Sequence, residues 1–324
     1  MMPDQEKVAI FIIGPTAAGK TCLSLSLSQK LPVEIISADS RQIYKHLDIG
    51  TAKPSKEILH QLPHHFIDIL EPDETYSAGQ FSLDARKVIH QIFSRGKLPL
   101  VVGGSGLYLK ALLEGFFTRN ITNLKIRESL QKRLSQEGSE ALHRDLLDVD
   151  PVTAERIHPR NSNRILRALE VYLSSGERLS ELQKAKIPPP NFHSLKFGIV
   201  KERERLYHDI DQRVEDMFKR GLLREVANIL EMGYDPSLNS LNTVGYKEVI
   251  QYLNGKIDYQ SCVTLIKQNS RHYAKRQLTW FRPDKDIHWH KIENKDDTER
   301  IAKIIFQTYH EWLAEQHKRL TSDN

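Results

Sequence analysis

The apolar run Val8-Ala9-Ile10-Phe11-Ile12-Ile13 ends directly in Gly14-Pro15-Thr16-Ala17-Ala18-Gly19-Lys20-Thr21. A G-x-x-x-x-G-K-T loop constrains the fold more than any other stretch of this chain, because it operates only between a strand and a helix. Its glycines let the backbone curl until successive N–H groups point inward, and the helix N-terminus that follows adds partial positive charge. Lys20 can reach the outer phosphate of a di- or triphosphate, and the Thr21 hydroxyl is placed to ligate Mg²⁺. The loop thus assigns phosphate binding to residues Gly14 through Thr21. It leaves open whether those phosphates belong to a nucleotide such as ATP or to another activated group.

At 324 residues the chain exceeds a usual single core, so one large domain plus an elaboration is expected. Apolar, β-branched runs at 8–13, 33–37, 98–103, 195–200 and 286–290 alternate with helical patterns, as in a parallel α/β sheet. From about 116 to 190 the patterns are helical only, at 124–136, 140–149, 151–157 and 162–175, and Pro188-Pro189-Pro190 closes them. The expected architecture is a P-loop NTPase-like parallel sheet flanked by helices. Its core comprises 1–115 and 191–324, and it carries an all-helical insertion at 116–190. Amphipathic helices are predicted over 202–220, 222–232, 243–253, 258–281 and 298–315, with fraying from Lys318 onward.

No apolar run approaches the ~18 residues of a membrane span. The polar stretch Met1 to Lys7 leaves no room for a signal peptide, and Cys22 and Cys262 are the only cysteines. A reducing, cytoplasmic setting without a membrane is the expectation that fits, and neither a disulfide scaffold nor a Cys-based zinc site is supported. The net charge of +5 is informative only through its distribution. Arg156 to Arg167 holds four arginines and a histidine with no acid, and Lys267 to Pro283 holds five basic residues with no acid. Lys267, Arg271 and Lys275 would form a basic stripe on one helix face. Two such runs beside a phosphate loop favour a polyanionic partner such as RNA over plain solvated surface.

Ligands of open α/β sheets bind outside the carboxyl ends of the strands. Asp39, at the end of the second run, should therefore stand beside the phosphate loop as a general base, a metal-linked carboxylate or the cap of a following helix. The third run ends in Gly103-Gly104-Ser105-Gly106, a second glycine-rich turn that brings the Ser105 hydroxyl to the same edge. The adjacent His64 and His65 lack further ligands at metal spacing and suit packing or hydrogen bonding better.

Taken in order, the segments GPTAAGKT (14–21), SADSRQIY (37–44), DIGTAKP (48–54), PHHFID (63–68), YSAGQF (76–81) and VVGGSGLY (101–108) resemble the tRNA dimethylallyltransferase family, also called tRNA isopentenyltransferases, of bacterial type. IHPRNSNRILRALEVY (157–172), VGYKEV (244–249) and AKRQLTWFR (274–282) extend the resemblance over about residues 8 to 290. It implies transfer of a dimethylallyl group from dimethylallyl diphosphate to N6 of adenosine 37 in the anticodon loop of tRNA, releasing diphosphate. Asp39 would be the general base, Lys20 and Mg²⁺ would serve the diphosphate, and Ser105 would contact substrates near the reacting centre. The implied tRNA contacts are Asp39, Ser40, Arg41, Gln42 and Ser105, then Arg127, then Asn163, Arg164, Ile165, Leu166 and Arg167. A last group is Asn242, Thr243, Val244, Gly245, Tyr246, Lys247, Glu248 and Val249. Most bacterial members carry threonine at the position of Ser105, so the hydroxyl survives and only a methyl is lost. A monomer is expected.

The residue types suit this chemistry. The adenine amine is a poor nucleophile, and a positioned carboxylate can accept its proton as the C–N bond forms. The departing diphosphate gains charge that Lys20, Mg²⁺, loop N–H groups and a basic side chain, with Arg213 as candidate, would stabilise. A base stacked in the anticodon loop must be flipped out to react. The alternatives are an adenylate isopentenyltransferase acting on free AMP, an ATP-dependent small-molecule kinase on the same loop, and a non-catalytic RNA-binding protein.

Overall fold

A computed structural model of the chain describes residues 7–115, 121–184 and 188–322. The apolar runs become β1 (Val8–Ile13), β2 (Val33–Ala38), β4 (Leu98–Gly103), β5 (His193–Val200) and β6 (Ile287–Lys291), joined by a two-residue strand, β3 (His64–His65). All pairings are parallel, in the order β3-β2-β4-β1-β5-β6. Every residue of β1 and β2 is buried, as strands covered on both faces require. Ile10 of β1 lies opposite Leu100 of β4 and Leu195 of β5, which makes β1 the middle of the core.

The helices follow in chain order as α1 (Lys20–Ser28), α2 (Lys56–Gln61), α3 (Ala78–Ser94), α4 (Gly106–Glu114), α5 (Leu124–Glu137), α6 (Ser139–Val149) and α7 (Pro151–Glu155). Then come α8 (Ser162–Ser175), α9 (Leu179–Leu182), α10 (Arg203–Lys219), α11 (Leu222–Glu231), α12 (Tyr246–Leu253), α13 (Tyr259–Phe281) and α14 (Lys295–Ser322). Leu23 and Leu27 of α1 pack with Ile301 and Ile305 of α14 against Ile10, Ile12 and Leu100 of the sheet. Among the described residues no helix is long and apolar enough to cross a membrane.

Two compact units result. One comprises Met1–Tyr76, Asp84–Leu109 and Asn191–Asn324 and contains the sheet. The other comprises Ser77–Leu83 and Lys110–Pro190 and is helical. This second unit begins six residues before the predicted position 116 and takes in a segment of α3 besides. A local reason is visible, since Ser82 Oγ donates to the Ala111 carbonyl at 2.7 Å. Its own core includes Leu130, Leu142, Leu146, Ile165, Leu166 and Leu169.

Other departures have equally local causes. β3 is too short to show any periodicity. α12 starts at Tyr246 rather than 243, because Gly245 at φ 100° breaks the helical path. α14 starts at Lys295, with Asp296 and Asp297 in its first turn where the helix dipole favours acids. It continues to Ser322, through residues expected to fray.

Glu34 of β2 is the charged exception inside the sheet, only 4% exposed. It accepts from Arg95 Nη2 at 2.6 Å and pairs with His65 Nε2 at 2.8 Å, with Lys97 Nζ 3.4 Å away. Burial alone would raise its pKa, but the bonds from Arg95, His65 and Lys97 outweigh burial and hold it at about 2. The stabilisation from this cluster is therefore complete above the ordinary value of 4.5 and is lost as pH falls towards 2. Allowing for the partly exposed Arg95 and Lys97, it should be on the order of 2 kcal/mol. Glu34→Gln should lower stability at pH 7 and flatten its dependence on pH between 4.5 and 2, as read by urea unfolding across that range. A variant with the wild-type slope would remove Glu34 from this role.

Candidate active site

Because all strands run parallel, the turns after β1, β2 and β4 meet at one edge of the sheet. A cavity of about 690 Å³ opens there, within the sheet-bearing unit. Its wall includes Thr16 to Thr21, Ser37, Asp39 to Gln42, Gly50 to Ala52, Gly103 and Gly104. α10 contributes Arg213, and α13 contributes Tyr273, Arg276 and Gln277.

The phosphate loop leaves β1 at Gly14, where a Cβ would sit 2.4 Å from the Ile199 carbonyl oxygen, so only glycine fits between the strands. Lys20 Nζ donates to the carbonyls of Gly14 at 3.0 Å and Pro15 at 2.7 Å. Burial lowers its pKa most, the Asp39 carboxylate opposes this, and Arg213 lowers it further, to about 8. Thr21 is exposed on the wall, and its hydroxyl makes no hydrogen bond among the described residues. The Arg213 guanidinium has neither a hydrogen bond nor an ion pair among them, and burial lowers its pKa while Asp39 raises it. Two cations and one carboxylate thus share one cleft.

Asp39 caps no helix. The chain turns through Ser40 to Ile43 and reaches a bridge between Tyr44 and Leu70 instead. Asp39 Oδ1 accepts from the N–H groups of Arg41 at 2.9 Å and Gln42 at 3.4 Å, while Oδ2 has no such partner among the described residues. The half-buried Ser105 hydroxyl accepts from the N–H of the cavity-lining Ser40 at 3.0 Å. Burial is the main reason the phenol of Tyr273, on the cavity wall, is pushed well above its ordinary pKa.

The residues expected to meet RNA divide sharply. Asn242, Thr243, Val244 and Lys247 line the cavity, as do Ser40, Arg41 and Gln42. Arg41 Nη1 donates to the Asn239 carbonyl at 2.6 Å, and Gln42 Nε2 donates to those of Thr51 and Ala52 at 3.2 and 3.3 Å. Tyr246, Glu248 and Val249 instead have buried side chains. The Tyr246 hydroxyl donates to Glu225 Oε1 at 2.6 Å, and Glu248 accepts from Gly245 N–H and Asn269 Nδ2, each at 2.7 Å. Ile165 and Leu166 are likewise core residues of the helical unit. The side chains of these five residues are packed inside the protein rather than presented on the cavity wall or an exposed face.

In the helical unit Asn163 and Arg164 are exposed. Arg127 and Arg167 converge on the buried Glu170, with N–O distances of 2.9 and 3.1 Å, and Arg167 also donates to the Ile121 carbonyl at 2.6 Å. The predicted stripe on α13 is largely neutralised from α10. Lys267 pairs with Glu215 at 2.7 Å and Arg271 with Asp211 at 2.8 Å, which leaves only Lys275 of the three without an acidic partner among the described residues.

Two organising side chains escape a reading by local motif. Gln277 is buried, accepts from Thr16 N–H at 2.9 Å and donates to the Gly104 carbonyl at 3.0 Å, tying the two glycine-rich turns together. Glu225 accepts from the N–H groups of Asp48, Ile49 and Gly50 at 3.2, 2.7 and 3.2 Å, holding the loop beside the cavity. Gln277 lies within AKRQLTWFR, but its partners are more than 170 residues away, and no local spacing reveals them.

A parallel α/β sheet with a cation-lined phosphate loop facing a carboxylate defines a group-transfer enzyme core rather than a passive RNA-binding scaffold. The chain belongs to the IPP transferase family, whose sequence model matches residues 42–284. It is 45% identical to a tRNA dimethylallyltransferase of Pelotomaculum thermopropionicum, over 94% of this chain and 98% of that one. It is 42% identical to one of Thermotoga petrophila, over 94% and 99%. The fold is similar to that of a full-length tRNA isopentenylpyrophosphate transferase of Bacillus halodurans, with TM-score 0.70 and 36% identity over 98% of this chain and 99% of that one. A eukaryotic dimethylallyltransferase described as acting on tRNA also aligns, with TM-score 0.71 and 30% identity over 88% and 74%.

The lowered pKa of Lys20 has a measurable consequence. An anion bound at the loop favours the ammonium form, so above about pH 8 binding must take up a proton. Diphosphate affinity should fall as pH rises beyond that value, with uptake approaching one proton. Calorimetry in buffers of different ionisation enthalpy reads this directly. Lys20→Met should abolish the uptake, and a wild-type protein that binds diphosphate at pH 9 without uptake would place the proton elsewhere.

Proposed function

We propose that this protein transfers the dimethylallyl group of dimethylallyl diphosphate to N6 of adenosine 37 in tRNA, releasing diphosphate. The observation that carries this reading is the shared cavity, where Lys20 and Arg213 stand in electrostatic reach of Asp39. In the transfer, a bond forms between N6 and the first carbon of the dimethylallyl group, and the bond from that carbon to the diphosphate oxygen breaks. The N6 proton passes to Asp39, whose Oδ1 is held by two backbone N–H groups while Oδ2 has no hydrogen bond among the described residues. Charge growing on the diphosphate is met by Lys20, Arg213 and the loop N–H groups, already oriented before reaction. Ser105 acts at one remove, holding the Ser40 N–H that follows Asp39.

Among the described residues no three His, Cys, Asp or Glu side chains group as metal ligands. A hydroxyl such as that of Thr21 beside a diphosphate is the kind of donor set Mg²⁺ accepts, since that ion takes few protein ligands and completes its shell with phosphate oxygens and water. Thr21 would hold it, and its chemistry would be to neutralise diphosphate charge. The core formed by 1–115 and 191–324 would carry the reaction, and the helical insertion at 116–190 would grip tRNA through Arg164 and Asn163, with Arg127 and Arg167 oriented by Glu170. The enzyme would work in the cytoplasm as a monomer.

Incubation with labelled dimethylallyl diphosphate and either tRNA or AMP tests the reading, with label expected on tRNA alone. Label on AMP, or transfer of phosphate from ATP, would overturn it. Asp39→Asn should leave tRNA affinity unchanged and slow single-turnover transfer by about 10²–10⁴-fold. The amide keeps the oxygen that caps the turn, so a near-normal rate would reduce Asp39 to that cap.

A further inference from the structure

We infer that Trp280 is a stacking platform for a nucleobase of the RNA substrate, beside the base that enters the cavity. This rests on the proposed function and adds the part of the surface that would hold the neighbouring base. Trp280 is 43% exposed, unusual for the largest apolar side chain, and Leu107 beside Gly106 is 46% exposed. The indole packs against Gly106. A Cβ built on Gly106 would fall 2.2 Å from Cδ1, 2.3 Å from Nε1 and 2.5 Å from Cγ. Near-equal distances to three contiguous ring atoms put that point over the ring face, because a point beyond the ring edge would be close to one atom only. One face of the indole therefore lies over Gly106, while the residue as a whole stays 43% exposed.

Its position relates it to the cavity. Gln277 and Arg276 line the cavity wall and precede Trp280 by three and four residues on α13, so the three share a helix face. Gly106 follows the Gly103-Gly104 turn, which also lines the cavity and is bonded to Gln277 through the Gly104 carbonyl. The surroundings suit a polyanion carrying unstacked bases. Lys275, Arg276 and Arg282 have no acidic partner among the described residues, unlike Lys267 and Arg271 further back on the helix. A flat aromatic face on the same helix side as the cavity-lining Arg276, a cation with no acidic partner among the described residues, suits a single-stranded loop whose bases have been splayed out.

The test uses an anticodon stem-loop RNA with the full chain. Trp280→Ala should weaken RNA binding at least about tenfold, the range for loss of a base stack, without changing the steepness of its salt dependence. Trp280→Phe should restore most of the affinity, because a flat face remains. With 2-aminopurine placed next to the target adenine, on its 5′ or its 3′ side, fluorescence should be quenched on binding wild type and retained with Trp280→Ala. Unchanged thermal unfolding and dimethylallyl diphosphate affinity separate this loss from misfolding. Trp280→Ala binding RNA within twofold of wild type, or loss of affinity that Trp280→Phe does not rescue, would overturn the platform. If wild type transfers label to tRNA while Trp280→Ala binds normally, only the platform falls. Failure of wild-type transfer would strike the proposed function itself.

Discussion

Burial of β1 between β4 and β5 is the constraint on which the rest depends. Once a strand is covered on both faces and paired on both edges, its chain must leave at the end of the sheet. With every neighbour parallel, the other turns leave there too. The loop beginning at Gly14, the turn at Asp39 and the turn at Gly103 are thus delivered to one place by backbone geometry alone. Gln277 then bonds across two of them, so that the phosphate loop and the second glycine turn are held at a fixed separation by one side chain of α13.

Charge in each unit is sorted by whether it is answered within the protein. Lys267, Arg271, Arg127 and Arg167 each meet a carboxylate within about hydrogen-bond distance. Such pairs orient side chains and define surfaces, with modest net stabilisation where water reaches them. Lys20 and Arg213 are held in the cleft with Asp39 nearby but without ion pairs among the described residues, and burial weakens their hold on protons. An anion entering the cleft would relieve that cost. The same physics separates Glu34, whose cations outnumber it, from Asp39, whose Oδ1 is fixed by backbone N–H groups. The first belongs to the scaffold and the second faces the cavity.

The sequence by itself determined what depends on near neighbours in the chain. The G-x-x-x-x-G-K-T loop after a β-branched run specified strand, turn and helix. The apolar stretches at 8–13 and 98–103 match β1 and β4 residue for residue, and the helical patterns located α5 to α8 within one or two residues. The placement of Asp39 at the carboxyl edge followed from topology rules that any parallel sheet obeys. Tertiary structure decided which charges are spent. Nothing in the spacing of Lys267 and Arg271 announces that Glu215 and Asp211 of α10 will face them, or that Glu170 will take two arginines. Nor does the motif around Tyr246 and Glu248 distinguish a residue that lines the cavity from one buried behind it. The physical reason is that local pattern encodes which face of an element is apolar, whereas neutralisation, exposure and hydrogen-bond partnership are properties of pairs. Those pairs, such as Gln277 with Thr16 and Gly104, form only when segments far apart in sequence are packed together.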